Sequence, residues 1–137
     1  MEKLTDIIEG HNLALHPFEG WFREVRHVAG QERRLLMLID AENHIPWHRL
    51  QGEAVWTHAE GAPAVLSTSG DGETAQAHQL GPDRRAIVAP KHFQTLETLG
   101  HWTLFELTLC PDLSISDREL CPEDWFPQRR IDDTSNF

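Results

Sequence analysis

Short strand-like segments that end at polar, glycine or proline turns recur along most of this chain. Leu35–Ile39, Ala64–Thr68 and Trp102–Leu109 are three of them, and the last alternates two sets of side chains with a period of two residues. Ser69-Gly70-Asp71-Gly72 and Gly81-Pro82-Asp83 are strong turn signals between such segments. Many short strands at this spacing predict an all-β sandwich or barrel and argue against a layered α/β fold.

A histidine-rich pair of strands stands in the middle of the chain. His44–Arg49 and Glu53–His58 are predicted as consecutive strands joined by a turn at Gln51-Gly52. If the first strand alternates regularly, His44 and His48 point to the same face. Imidazole and carboxylate groups brought together in this way predict a barrel mouth that holds a metal ion or a polar ligand.

The two ends of the chain are predicted to be helical. Leu4–Gly10 has apolar residues at helical spacing and ends at a glycine. Ser116-Asp117-Arg118-Glu119 fits a capping box and predicts a short C-terminal helix. The polar tail, residues 129–137, is predicted to be flexible. Since no repeat or linker is evident, we expect residues 1–137 to form a single domain.

The charge balance narrows the choice of partners. With 22 acidic against 12 basic residues the net charge is −10, which argues against binding to nucleic acid or to an anionic membrane surface. The N-terminus has no apolar stretch of the signal-peptide kind, so we expect a cytoplasmic protein. Cys110 and Cys121 are too few for a disulfide scaffold and are expected to be free thiols.

Three segments together resemble one cupin family, long catalogued as a domain of unknown function, that has the jelly-roll fold of the sugar epimerases. Residues 15–24 resemble its opening motif, His48-Arg49-Leu50 with Trp56 its core motif, and residues 110–120 its closing motif. The match covers nearly the whole chain in the right order. The resemblance implies a single jelly-roll barrel with short N- and C-terminal helices, a homodimer, and a small-molecule ligand in the barrel mouth.

The chain departs from this family at the positions that matter for chemistry. The family carries an Asp-Glu pair where this chain has Glu53 and Ala54, so its usual glutamate is absent. The histidine that follows the family's tryptophan is Thr57 here, although His58 comes next. In the second motif His92 replaces a glycine, and Gln94 replaces a tryptophan. The ligand set of ordinary metal-binding cupins is therefore incomplete.

Two kinds of chemistry remain open. Cupin metal sites need two or three imidazoles and a carboxylate on one face; the candidates for Fe, Mn, Ni or Zn are His48, Glu53, His58 and His92, with help from His44. A one-residue shift turns a strand side chain to the opposite face, so Glu53 and His58 need not both point into the barrel. The alternative is a site without metal. There His48 would exchange protons with Glu53 or Glu106, the candidate catalytic carboxylates.

Candidate substrate-binding residues are those that could line or clamp a ring-shaped polar ligand: Arg23, Trp47, Trp56, Gln94 and Trp102. A single tryptophan of this kind is more often an ordinary core residue, and an arginine such as Arg23 more often pairs with a neighbour, for which Glu24 is available. The first functional hypothesis is an enzyme for isomerisation, elimination or oxidation, either a cupin-type isomerase or lyase or a metal-dependent oxygenase. The second is a metal-free cupin that binds or senses a small ligand without catalysis.

Overall fold

The computed structural model describes residues 4–15, 20–82, 84–113 and 117–132. Its elements in chain order are α1 (Leu4–Gly10), β1 (Ala14–Leu15), β2 (Trp21–Val28), β3 (Glu32–Asp40), β4 (Ile45–Arg49), β5 (Glu53–Gly61), β6 (Ala64–Ser69), β7 (Thr74–Leu80), β8 (Arg85–Val88), β9 (Phe93–Thr98), β10 (Trp102–Cys110), β11 (Glu119–Leu120) and β12 (Arg129–Asp132). No helix within those ranges is long and apolar enough to cross a membrane.

The strands form two six-stranded sheets. The strand order is β1-β2-β3-β10-β5-β8 in the first sheet and β11-β4-β9-β6-β7-β12 in the second. Neighbouring strands are antiparallel, except that β12 runs parallel to β7. This two-sheet arrangement confirms the predicted all-β jelly-roll barrel.

The barrel interior is filled by apolar side chains that alternate along the strands of both sheets. Trp56, Phe105 and Leu107 of the first sheet belong to one buried cluster with Leu66 and Leu96 of the second. In a strand every second side chain reaches the same face, so one apolar set per strand is enough to build this cluster. Full burial of each such side chain stabilises the fold by roughly 1.5–3 kcal/mol.

The outer face of the first sheet is covered by the N-terminal helix. Ile7 of α1 is 3% exposed and belongs to a second buried cluster with Leu38 and Leu104. Trp21 and Trp102 are half-buried against this cluster. The apolar segment Leu35–Ile39 is therefore covered on both faces, and the N-terminal helix is found where the sequence predicts it.

The prediction of a C-terminal helix is wrong in the residues that the structure describes, which exclude Ser116 of the capping box. Glu119–Leu120 forms strand β11, which pairs with Arg49 and His48 of β4. The carboxylate of Glu119 accepts hydrogen bonds of 2.9 and 3.0 Å from the guanidinium of Arg49. Cys121 precedes a proline, which disfavours helical backbone at that residue. Pairing with an open sheet edge thus prevails over a local capping signal.

The start of the tail, which the sequence predicts to be flexible, forms strand β12. Arg129–Asp132 pairs with residues Thr74 to Ala77 of β7. Ladder hydrogen bonds use only backbone groups, so a polar sequence can complete a sheet edge. Residues 133–137 lie outside the described residues, as do residues 16–19 of the opening motif and Asp83 of the predicted turn.

The regular alternation predicted for the His44–Arg49 strand does not occur. The register of β4 against β9 shifts between Ile45 and His48, which pair with Leu96 and Gln94 respectively. Ile45 and His48 are therefore both fully buried, while His44 precedes the strand and is exposed. An irregularity of this kind re-aims one side chain without breaking the sheet. Here it turns His48 into the barrel.

Gly61, the last residue of β5, is expected to be intolerant of substitution. Its φ is +88°, and a Cβ atom at this position would lie 2.5 Å from ring carbons of Trp102 and 2.6 Å from its carbonyl oxygen. We expect Gly61→Ala to lower the free energy of unfolding by about 2–3 kcal/mol in urea denaturation, because both the backbone and the contact are strained. Gly81→Ala is the matched control, since a Cβ atom there meets nothing within 4 Å. Equal stability of the two variants would contradict this account.

Candidate ligand site in the barrel interior

His48 lies on the interior side of β4. Its ladder partner in β9 is Gln94, and directly paired residues of antiparallel strands share a face. Gln94 in turn contacts Trp56 of the opposite sheet, so this shared face is the one that lines the barrel. His48 is 0% exposed, and Gln94 is 1% exposed.

The hydrogen bonds of His48 determine which ring nitrogen carries the proton. Nδ1 lies 2.8 Å from the carbonyl oxygen of Pro46. A carbonyl oxygen only accepts hydrogen bonds, so Nδ1 must be the protonated donor and Nε2 of the neutral ring carries a free lone pair. Nε2 is buried and has no hydrogen-bond partner among the described residues. A buried acceptor without a donor costs about 1–3 kcal/mol, so Nε2 is the polar atom of the barrel interior that most needs a ligand.

Burial also keeps His48 uncharged. The loss of hydration lowers the pKa of His48 from 6.5 to about 4. The hydrogen bond to Pro46 opposes this shift, and the positive charge of Arg118 adds to it. At neutral pH the imidazole is therefore a hydrogen-bond acceptor rather than a cation.

Gln94 links the two sheets through a single hydrogen bond. The indole Nε1–H of Trp56 donates to Oε1 of Gln94 at 2.7 Å. The Trp56 ring is itself 0% exposed and makes an edge-to-face contact with Phe105, with ring centroids 5.6 Å apart. His48, Gln94 and Trp56 are thus the predicted site residues that the fold brings together.

Thr68 and His78 extend this row of polar side chains, and neither is among the residues predicted from the sequence. Thr68 in β6 is the ladder partner of Gln94, and its Oγ1 lies 3.4 Å from Nε2 of His78 in β7. His78 pairs in register with the buried Leu66 and therefore shares its interior face. Leu66 and Thr68 are two residues apart and therefore share a face of β6. This spacing identifies Thr68 as a polar interior residue only once the strand pairing is known.

The predicted metal ligands do not converge. Glu53 alternates with the buried Ala54 and Trp56 and so points to the opposite face of β5. Nε2 of His58 donates to the carbonyl oxygen of Gly61 at 3.0 Å. The ring of His92 lies beside Gly70, where an added Cβ atom would be 3.0 Å from its Cε1.

Within the described ranges, no group of three or more His, Cys, Asp or Glu side chains is placed to hold a metal ion. Protein metal sites of the transition-metal kind use several such ligands, commonly three or four. His48 is the one member of the predicted set that we can place in the buried row with Gln94. The described residues therefore do not fit the Fe, Mn, Ni or Zn centre that is the first of the two chemistries considered from the sequence.

The remaining predicted site residues lie away from His48. Glu106 pairs in register with Leu36 and Thr57 on the outer face of the first sheet, and its carboxylate is 3.3 Å from Nε of Arg34. Arg23 pairs with Leu36 on the same outer face and is exposed.

Two of the predicted tryptophans are packing residues. Trp102 packs on the cluster beneath α1. Trp47 contacts the ring of Trp125, with centroids 5.5 Å apart. Trp125 also contacts Phe93, which lies beside the buried Gln94 in β9 and so points out of the barrel.

Comparison with known proteins supports the fold. A family model described as "Cupin superfamily (DUF985)" matches residues 5–121. No curated protein sequence matches the chain significantly. A Shewanella oneidensis protein of known structure superimposes with a TM-score of 0.79 at 17% identity, covering 88% of this chain and 85% of that one.

Two further solved structures have the same fold. A hypothetical protein from Leishmania major superimposes with a TM-score of 0.80 at 14% identity, covering 90% of each chain. A mutant of Bacillus subtilis oxalate decarboxylase gives a TM-score of 0.69 at 12% identity, covering 79% of this chain and 29% of that one. At these identities the likeness establishes the shared architecture alone.

Proposed function

Because the chain belongs to the cupin family described as "Cupin superfamily (DUF985)", we propose that it binds a small, uncharged organic molecule inside its barrel. In this proposal Nε2 of His48 accepts a hydrogen bond from the ligand. The observation that carries the proposal is that this nitrogen is buried, unprotonated and without a hydrogen-bond partner among the described residues.

The surroundings of Nε2 disfavour a cationic ligand, and the lone pair on this nitrogen disfavours an anionic oxygen beside it, although Arg118 places a positive charge near His48. A ligand cation would leave water for a site where neither His48 nor Gln94 supplies a negative charge, and such a transfer is costly without a counter-ion. A ligand O–H or N–H group, by contrast, satisfies Nε2 and recovers the free energy that the buried acceptor loses. His48 is one strand from the sheet edge, where its ladder neighbour Leu120 is 46% exposed. This edge is the entry route that we propose.

Binding is better supported than acid/base catalysis. A general base works best when its pKa is near the working pH, and the pKa of His48 is lowered to about 4. The partner of Nδ1 is the Pro46 carbonyl rather than a carboxylate, and Glu106 is engaged with Arg34 on the outer face. No side chain that we can place beside His48 therefore raises its basicity.

A pair of matched fragments tests the proposal. We expect phenol to bind wild-type protein about tenfold more tightly than anisole, which has the same ring but no O–H donor. Binding is measured from the shift of the Trp56 indole N–H resonance in ¹⁵N-resolved NMR titrations. His48→Phe should abolish the preference for phenol, whereas His101→Phe, the same exchange at an exposed histidine, should preserve it. Equal binding of the two fragments to wild type, or no binding of either, would overturn the proposal.

A further inference from the structure

We infer that His48 and Gln94 together form a hydrogen-bond acceptor and donor pair that recognises the edge of an amide-type group, such as a lactam or a cyclic imide. In such a group an N–H donor lies next to a C=O acceptor. The inference rests on the proposed function, because it names the chemical class of the ligand that the same interior site would take.

The acceptor half is Nε2 of His48. The Pro46 carbonyl fixes the proton on Nδ1, so Nε2 can only accept. A ligand atom that meets it must carry a hydrogen.

The donor half is the amide nitrogen of Gln94. An amide side chain can be turned either way about its last bond, and its neighbours decide the orientation. The indole N–H of Trp56 is only a donor, so the end of Gln94 that faces it at 2.7 Å must be the oxygen. The NH₂ end is thereby directed away from Trp56 and is the part of Gln94 that can donate to a ligand.

Register places the two halves side by side. His48 and Gln94 are direct partners across β4 and β9, and paired residues of this kind have Cβ atoms about 5 Å apart on one face. An acceptor beside a donor is complementary to a donor beside an acceptor, which is the pattern of an amide edge. An alcohol satisfies one half only, and a carboxylate sets a negative oxygen against the lone pair of His48.

Two aromatic rings lie on the Trp56 side of Gln94. Trp56 and Phe105 meet edge to face with centroids 5.6 Å apart, and both are fully buried. Aromatic side chains pack well against planar rings. In this proposal a cyclic amide places its polar edge on His48 and Gln94 and its apolar part toward these rings.

Three similar ring compounds test the inference: 2-piperidone, δ-valerolactone and N-methyl-2-piperidone. We expect 2-piperidone to bind wild-type protein at least tenfold more tightly than the lactone, which keeps the carbonyl but lacks the N–H, and than the N-methyl compound. His48→Phe should remove the preference over the lactone. Gln94→Glu, which retains an oxygen for Trp56 but offers no NH₂ group, should weaken 2-piperidone at neutral pH. Affinities are taken from the Trp56 indole resonance and confirmed by calorimetry.

The outcomes separate the two proposals. If the lactone or the N-methyl compound binds wild type as tightly as 2-piperidone while phenol still outcompetes anisole, the amide-edge inference fails and the proposed function stands. If none of the three compounds binds wild type, the amide-edge inference fails, and the comparison of phenol with anisole decides the proposed function separately. If Gln94→Glu does not fold, the lactone comparison in wild type and in His48→Phe still decides the inference.

Discussion

Replacing Trp56 with phenylalanine is expected to lower the free energy of unfolding by about 3 kcal/mol. The change removes ring volume from a fully buried position and leaves Oε1 of Gln94 without its donor. Gln94→Leu instead leaves the indole N–H of Trp56 without an acceptor and is expected to lower the free energy of unfolding by about 2 kcal/mol. Both single changes break the same bond between the sheets.

The double variant distinguishes this bond from simple packing. When Trp56→Phe and Gln94→Leu are combined, no buried donor or acceptor of this hydrogen bond remains without a partner. We therefore expect the double variant to lose about 1–2 kcal/mol less than the sum of the two single losses. Urea denaturation of the four proteins measures this coupling. Trp47→Phe is the control, since Trp47 is half-buried against Trp125 on the outer face, and it should cost about 1 kcal/mol. Strict additivity of the two interior changes would show that the hydrogen bond does not link them.

The stability of the wild-type protein is expected to fall with acidification through His48. Folding lowers the pKa of this group from 6.5 to about 4. Between these values the unfolded chain takes up a proton that the folded chain does not, so stability is fully present above pH 6.5 and decreases toward pH 4. The predicted loss from this group is about 2 kcal/mol by pH 5.

The comparison of variants isolates this contribution from other titrating groups. His48→Phe should lack that part of the pH dependence, whereas His101→Phe should retain it because His101 is exposed. Thermal and urea unfolding of the three proteins at pH 8, 6 and 5 measure the difference. Parallel curves for wild type and His48→Phe would contradict the burial of a neutral imidazole.

Local pattern was sufficient to predict the strands but not their pairing. The alternation of Phe105 and Leu107 with Glu106 predicts two faces of β10, but only the packing of the sheets shows which face lines the barrel. Glu106 was therefore a candidate catalytic residue, and it lies outside with Arg34. The same uncertainty applies to Trp102, whose partners are in the cluster beneath α1.

The site residues depended on non-local features. The irregularity that turns His48 inward arises from the register of β4 on β9. Pro46 signals that this strand is irregular, but it does not reveal which face His48 takes. His48, Trp56 and Gln94 were all predicted as site residues, yet both sheets are needed to bring them together. β11 likewise forms by pairing with β4 at the edge of the second sheet. The ion pair between Arg49 and Glu119 joins residues that are 70 positions apart in the sequence.

The most direct test of the central claim is the protonation pattern of the His48 ring, observed in long-range ¹H–¹⁵N NMR spectra at neutral pH with and without 2-piperidone. We predict that free His48 is the neutral Nδ1–H tautomer and that the ligand changes the resonance of its unprotonated Nε2, because that atom becomes a hydrogen-bond acceptor. A proton on Nε2 in the free protein would contradict the assigned geometry. An Nε2 resonance unaffected by any binding ring compound would contradict its role as the ligand acceptor.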